Sequence, residues 1–405
     1  MNLLESIGGL MRVVSSSAPG RRHVGELLLS AMMEQASELQ LQLIAITSNG
    51  LDAGNSNQRC LTQCVEPPME LLQGPGAGRV SSSILSLRRF WAYERFARHV
   101  ALNLSTDLEL NAADPDPVWV IADSTAVIDC TYYAWKRKNF PFRLQVWDDV
   151  RHLTSLKHLD RFSANRVFQR FQCLLRNACD VAVIGEQMAS EYLSLGAKHC
   201  RVIRHGLPNA AQIAERRQPS ETFRIGFCGS AYASDAWKTL LRALDNLRWS
   251  FLSRPVELWV VGSDVNFSAG CPTNARFWGR RSVDETTQLM ADCDLLYMPQ
   301  SFQKHHDALT RWSFPTKLST YVATGRPVIF HTPAWGSLHS FAHEHGFHLL
   351  CDSLNPKELV GVLRSLETKP GLLQAESEAS VRVANTVLSH HEFRRQTRRF
   401  LGLTD

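Results

Sequence analysis

No run in this chain approaches the ~18 consecutive apolar residues a spanning helix needs. Its opening stretch, "MNLLESIGGLMRVVSSSAPGRRHVGE", has no cationic segment leading into an apolar core. The first absence excludes a transmembrane helix, and together they predict a cytoplasmic protein, at most peripheral at the inner face of a membrane. Excess charge of one sign is also missing. The chain has 44 Lys and Arg against 39 Asp and Glu, so the net +5 is spread over 405 residues. That is too thin to argue for a nucleic-acid partner, though it permits an anionic ligand. Cysteine patterning is absent as well. The ten Cys are scattered, and Cys60 and Cys64 form a C-x3-C with no second pair, which argues against zinc. Cys130, Cys228 and Cys351 lie in apolar segments and read as reduced core thiols. Disorder is excluded by a composition 44% hydrophobic and 20% charged.

What the chain has is alternation. Apolar runs of strand length are interleaved with amphipathic segments of helix length, the pattern of a parallel sheet wrapped by helices. "LMRVVSSS", a helix over residues 25–39 and "LQLIAITS" make the first βαβ unit, and residues 49–82 read as loop with one short strand. "PVWVIAD", "FRLQVWDDV", a helix over 163–177, "DVAVIG" and "CRVIRHG" complete a first half. The polar stretch "NAAQIAERRQPSET" suits a linker. The alternation then restarts with "FRIGFCGS", "VELWVVGS", "ARFWGR", "DLLYMP", "RPVIFH" and "GFHLLC" as strands, with "DAWKTLLRALDNL", "VDETTQLMADC", a Pro-led helix after "DLLYMP" and a terminal stretch over 356–366 as helices. The expected division is residues 1–208, a linker over 209–222, a second domain over 223–382, and a C-terminal helix over 383–405 that returns to the first domain. At 405 residues two domains are the default expectation.

The stretch "SFPTKLSTYVATGRPVIF" reads as a loop, a Pro-led helix, a Gly stop and a buried strand. In open parallel sheets ligands sit beyond the carboxyl ends of strands, where helix N-termini present unpaired amides. Phe314, Pro315, Thr316 and Lys317 fall at such a place. A diphosphate there would meet free amides, the Thr316 hydroxyl and the Lys317 charge; the alternative is a solvated Lys317 and a capping Thr316. Gly229 and Ser230, after the first strand of the second half, could bring backbone amides to the same ligand, with Lys238 as a second cation or as an exposed residue.

In order, "DVAVIGEQMASEYLSLGAKHCRVIRHGLPN", "IGFCGSAY…WKTLLRAL", "VELWVVGSD", "FWGRRSVDETTQLMADCDLLYMPQS" and "FPTKLSTYVATGRPVI" resemble the glycosyltransferase family 4 type of GT-B enzyme. The resemblance covers residues 160–366 well and the N-terminal part by pattern. It implies an α/β protein with two Rossmann-like domains facing a central cleft. The second domain would hold a nucleoside-diphosphate sugar, and the first a carbohydrate or lipid-linked acceptor. It further implies hexosyl transfer with retention of configuration, in polysaccharide or glycoconjugate synthesis, without metal or other cofactor. Lys238, Thr316 and Lys317 would stabilise the departing diphosphate.

The sequence departs from that family at the donor site. A pair of Glu usual there is replaced by Trp312 and Thr320, and Ser230 stands where an Arg often follows the Gly; Arg311, Asp307 or Gln303 are candidate substitutes. A non-catalytic GT-B protein serving as a binding or regulatory partner is therefore the alternative reading. In the first half, Gly20 with Pro19 and Gly25 resembles the loop that lets backbone approach the donor phosphates. Asp148 and Asp149, at the carboxyl end of a strand, are candidates to orient or deprotonate an acceptor hydroxyl, or to cap the next segment. His205 reads as structural. The basic, aromatic helix Leu87 to His99, with Arg88, Arg89, Phe90, Trp91, Arg95, Phe96 and Arg98, is a candidate for peripheral membrane contact or a core-packed helix with a solvated face.

Overall fold

The computed structural model describes residues 10–20, 24–46, 60–65, 79–113, 116–207, 220–262 and 272–403. The chain divides into two compact units, Met1–Ile203 with Arg394–Asp405, and Arg204–Phe393. The first unit contains β1 (Leu10–Ser15), α1 (Val24–Glu34), β2 (Gln40–Ile46), β3 (Cys60–Val65), α2 (Arg79–Asp107), β4 (Val118–Ile121) and α3 (Thr125–Lys138). It continues with β5 (Phe142–Gln145), α4 (Val150–Leu156), α5 (Arg161–Asn177), β6 (Asp180–Val183), α6 (Glu186–Ser194) and β7 (Cys200–Val202). Its strands form one sheet in the order β3-β2-β1-β4-β5-β6-β7, every pair parallel.

The second unit starts with β8 (Phe223–Gly229), α7 (Ser234–Asn246), β9 (Ser250–Phe251), β10 (Arg254–Gly262), β11 (Ala275–Gly279), α8 (Val283–Ala291) and β12 (Leu295–Pro299). Then come α9 (Asp307–Trp312), α10 (Lys317–Ala323), β13 (Val328–His331), α11 (Ser337–Glu344), β14 (Leu350–Cys351), α12 (Pro356–Thr368) and α13 (Leu372–Asn385). The last helix, α14 (His390–Leu401), carries the chain into Arg394–Asp405, which groups with the first unit. The second sheet runs β11-β10-β8-β12-β13-β14, all parallel, with the short β9 antiparallel to β10. In both sheets strand order reverses beside the first strand, between β1 and β4 and between β8 and β12. That reversal opens a crevice at the carboxyl ends of the strands.

The local chemistry explains these elements. Central strands such as VWVI of β4 and LLYMP of β12 are buried throughout, as parallel strands covered on both faces must be. Ser124 caps α3 by accepting from the Val127 N–H, and Asp160 caps α5 through the Phe162 and Ser163 N–H groups. Ser282 and Glu285 form a capping box on α8, and Asn355 with Pro356 starts α12.

Three expectations need correction. The strand expected over "GFHLLC" is only Leu350–Cys351, α10 begins at Lys317 rather than at Pro315, and α3, α4, α6, α9, α11 and α13 were not foreseen. The expected linker lies largely outside the described residues. Where the chain enters and leaves the second unit, Leu207 pairs with Ser389, and a Cβ on Gly206 would lie 2.4 Å from the Ser389 backbone. His205 is half-buried beside Phe393, 5.3 Å between ring centres, and desolvation lowers its pKa, which suits a structural imidazole.

Candidate functional site

The crevice of the second unit is built around Gly229, the last residue of β8. Its φ of +96° is a conformation that favours glycine, and the neighbouring β10 ends in Gly262 at φ +121°. A Cβ on Gly262 would lie 2.7 Å from the Gly229 carbonyl oxygen, and one on Gly229 would lie 3.4 Å from Cε of Lys317. The two glycines thus let backbone and one lysine converge where the strands end.

Lys317, the first residue of α10, reaches back 87 positions in sequence to donate to the Ser230 carbonyl at 3.3 Å. Its ammonium lies 4.3 Å from the centre of the Phe227 ring and 6.0 Å from that of Tyr232. Among the described residues no carboxylate pairs with it. Removal from water without an anionic partner lowers its pKa from 10.5 to about 8. One carbonyl occupies one of the three ammonium protons, so this is a cation able to take an anion.

The shell behind it is polar and satisfied. The Cys228 N–H donates to the Tyr321 hydroxyl at 2.9 Å, which donates to the Tyr297 carbonyl at 3.1 Å. The Tyr297 hydroxyl and His331 Nδ1 are 2.7 Å apart, and His331 Nε2 is 2.8 Å from the Ser353 carbonyl. A carbonyl can only accept, so Nε2 carries the proton, and the single Tyr297 hydroxyl proton is shared between Nδ1 and the Ala236 carbonyl, 3.0 Å away. Burial keeps that imidazole neutral by lowering its pKa. Asp235, in the first turn of α7, accepts from the Phe302 N–H at 2.7 Å and from the Ser301 hydroxyl at 3.2 Å. Gln300 donates to the Thr310 carbonyl at 3.2 Å and accepts from the Thr332 hydroxyl at 2.6 Å. These bonds fix the segment between β12 and α10.

Of the residues expected at this site, Gly229, Ser230 and Lys317 come together. Phe314 is buried instead, packed on Phe341 at 4.9 Å between ring centres with the Arg204 guanidinium 4.6 Å from its own. Pro315 and Thr316 form the half-buried turn into α10, and the Thr316 side chain makes no capping bond. Because α10 has only seven residues and starts at Lys317, the charge at this point is that of the side chain. Thr320 is half-buried on the same helix. Arg311, on α9, pairs loosely with Asp307 at 3.6 Å and stacks 4.9 Å from the centre of the Trp335 ring. Lys238 does not open α7. It is exposed in the second turn, and the first turn carries Asp235.

In the first unit, the Gly20 N–H donates to the Ser30 hydroxyl at 2.9 Å, and a Cβ there would lie 2.5 Å from Glu26 Oε2, so the turn packs on α1. Asp149 is wholly buried and caps α4. It accepts from the Arg151 N–H at 2.9 Å, from Arg151 Nε at 2.7 Å and from the Tyr192 hydroxyl at 3.1 Å. Its carboxylate is thereby committed to structure, whereas Asp148 is half-buried beyond β5. The sequence reading missed Asp123, just past β4 at the strand reversal. Its carboxylate accepts from the Ser15 hydroxyl at 3.0 Å, the Ser16 N–H at 2.8 Å and the Ser17 hydroxyl at 3.1 Å. Burial raises its pKa. The signal was present, an Asp ending "PVWVIAD" opposite a Ser run ending β1, but no local pattern joins the two. Among the described residues no group of three or more His, Cys, Asp or Glu could hold a metal ion, and no helix is long and apolar enough to cross a membrane.

Known structures with this architecture are numerous. An α,α-trehalose-phosphate synthase (UDP-forming) from Burkholderia vietnamiensis aligns over 97% of this chain and 99% of its own, with TM-score 0.65 and 11% identity. The fold is GT-B. Within the GT-B fold, Anabaena HepE in complex with UDP-glucose aligns with TM-score 0.62 and 15% identity, over 97% and 99% of the two chains. WaaG, a glycosyltransferase involved in lipopolysaccharide biosynthesis, aligns with TM-score 0.61 and 13% identity, over 97% and 100%. Residues 222–368, within the second unit, match the family model described as glycosyl transferases group 1. No curated protein sequence matches the chain.

Proposed function

We propose that this GT-B protein is a glycosyltransferase that moves a hexosyl group from a nucleoside-diphosphate sugar to a hydroxyl of a carbohydrate or lipid-linked acceptor, with retention of configuration. The observation that carries the proposal is Lys317, a desolvated cation with no carboxylate partner among the described residues, placed beside Gly229 and the Ser230 carbonyl. That is where a group 1 domain would meet a diphosphate. As the bond from the anomeric carbon to the phosphate oxygen breaks, charge grows on the leaving diphosphate. The Lys317 ammonium would stabilise it in a water-poor site, where such contacts count most. Asp148, or Asp123 at the strand reversal, would orient the acceptor hydroxyl whose oxygen forms the new bond. A UDP-sugar is the first donor to test, since HepE was solved with UDP-glucose.

A second reading, a binding protein without turnover, is favoured by Trp312 and Thr320 standing where the resembling enzymes carry carboxylates. Calorimetric titration with UDP, GDP, ADP and their sugar conjugates tests the first step. One nucleotide class should bind, and Lys317→Ala should weaken it about ten- to hundredfold, the worth of a charge-assisted hydrogen bond. Release of nucleoside diphosphate with acceptor present then separates enzyme from binder. Absence of binding by every nucleotide would sink both the donor site and the enzyme.

A further inference from the structure

Two helices of the first unit expose large apolar side chains next to one another. Trp91 of α2 is 63% exposed, and Phe162, in the first turn of α5, is 70% exposed. Phe90 joins them, its ring centre 5.4 Å from that of Trp91 and 5.7 Å from that of Phe162. Leu156, at the end of α4, is 59% exposed. Single exposed apolar residues are ordinary, but a contiguous aromatic group on a soluble surface marks something that covers it.

This group is mounted on a fixed base. The Arg166 guanidinium lies 4.5 Å from the centre of the Phe90 ring and pairs with the buried Glu94 at 2.9 Å. Arg170 reaches the same carboxylate at 2.8 Å. Glu94 is the acidic residue of the Phe90–Leu102 stretch, and these pairings turn it inward. Solvent therefore meets Arg95, Arg98 and His99 on α2. Lys157 and His158, in the turn after α4, and Arg161, the first residue of α5, are exposed, while the exposed Asp160 between them accepts from the Phe162 and Ser163 N–H groups at 2.9 and 3.0 Å. The rim of the aromatic group is predominantly basic, along α2 and from the turn after α4 into α5.

We infer that this surface docks on an anionic lipid bilayer, with Trp91 and Phe162 entering the headgroup boundary and Arg95, Lys157 and Arg161 meeting lipid phosphates. A few amphipathic or aromatic rings inside a basic rim match that boundary, where attraction to anionic lipid adds to a shallow apolar insertion. A stable protein interface needs a broader apolar core than two rings and a leucine. The inference goes beyond the donor site and requires no nucleotide.

Co-sedimentation of the full chain with lipid vesicles tests it, using phosphatidylcholine alone and phosphatidylcholine with about one third phosphatidylglycerol. The protein should sediment with the anionic vesicles, and high salt should release it. The double variant Trp91→Ser with Phe162→Ser should bind at least about tenfold more weakly. Lys157→Ser with Arg161→Ser should lose binding by a similar factor, roughly fivefold per charge. Thermal unfolding of both variants confirms that they fold, since all four side chains are exposed. Equal binding to neutral vesicles, no binding to either kind, or wild-type binding by the aromatic variant would overturn the inference. So would a concentration-dependent dimer in sedimentation velocity that the aromatic variant abolishes, because a second copy would then be the occupant.

Discussion

The Lys317 ammonium stands 4.3 Å from the centre of the Phe227 ring, held over an aromatic face by its bond to the Ser230 carbonyl, with no carboxylate beside it among the described residues. A lysine placed this way keeps its charge at a cost, and a bound diphosphate would remove that cost.

The consequence is a pH dependence of nucleotide binding. In the free protein the Lys317 pKa is lowered from 10.5 to about 8 by burial. An anion beside it favours the charged form and raises that value. Below pH 8 the ammonium is already protonated and affinity is flat. Above it, binding requires proton uptake, so affinity should fall as pH rises through about 8. Titrations in buffers of different ionisation heat should show that uptake near pH 8.5 to 9 and none near pH 6.5. A pH-independent affinity across this range would remove Lys317 from the diphosphate.

Gly262→Ala should damage the crevice without touching a charge. The new Cβ would lie 2.7 Å from the Gly229 carbonyl oxygen at a φ of +121°, so backbone must shift. Strain of this kind costs about 1–3 kcal/mol. Denaturant unfolding should show the loss, and nucleotide affinity should fall with it because Gly229 is the contact displaced.

The adjacent carboxylates of the first unit should part company on mutation. Asp149→Ala removes a helix cap and takes from Arg151 the carboxylate that lies 2.7 Å from its Nε. Removing one partner of such a buried pair costs about 3 kcal/mol, read as a lower unfolding midpoint. Asp148→Ala should lower the unfolding midpoint less than Asp149→Ala and should lower kcat at saturating donor. The opposite pattern would exchange their roles.

Tyr297→Phe should report on the neutral His331 behind the site. The hydroxyl lies 2.7 Å from His331 Nδ1, and its loss leaves a buried acceptor unmatched, at about 1–3 kcal/mol. Nitrogen-edited NMR of the imidazole should find the proton on Nε2 in the wild type and a changed Nδ1 signal in the variant.

Much of the architecture was legible because both sheets are parallel and buried on both faces. Strands such as β4, β8 and β12 therefore appear as apolar runs whatever surrounds them. What failed were boundaries and partners. Pro315 made α10 look longer at its start, yet its carbonyl accepts only a tight-turn bond from the Leu318 N–H at 3.1 Å, and Phe314 before it packs on Phe341. Lys238 had the right charge and the wrong turn of α7, where one turn earlier Asp235 ties down the loop after β12. Asp149 looked like a catalytic candidate because its anchor, Tyr192, is 43 residues away.

By itself the sequence determined the alternation of strand and helix, the two-part division, the glycines at strand ends and the presence of a lysine after Pro315. Burial pattern and backbone freedom are properties of consecutive residues, and they survive in one dimension. Only the tertiary structure decided that Lys317 meets Gly229 and Ser230 and not Lys238, that Asp149 is a cap while Asp123 joins the serines of β1, and that Trp91 and Phe162 share one basic surface. Each of these depends on distances between segments far apart in the chain, set by how the helices pack on the sheets, and no local spacing encodes them.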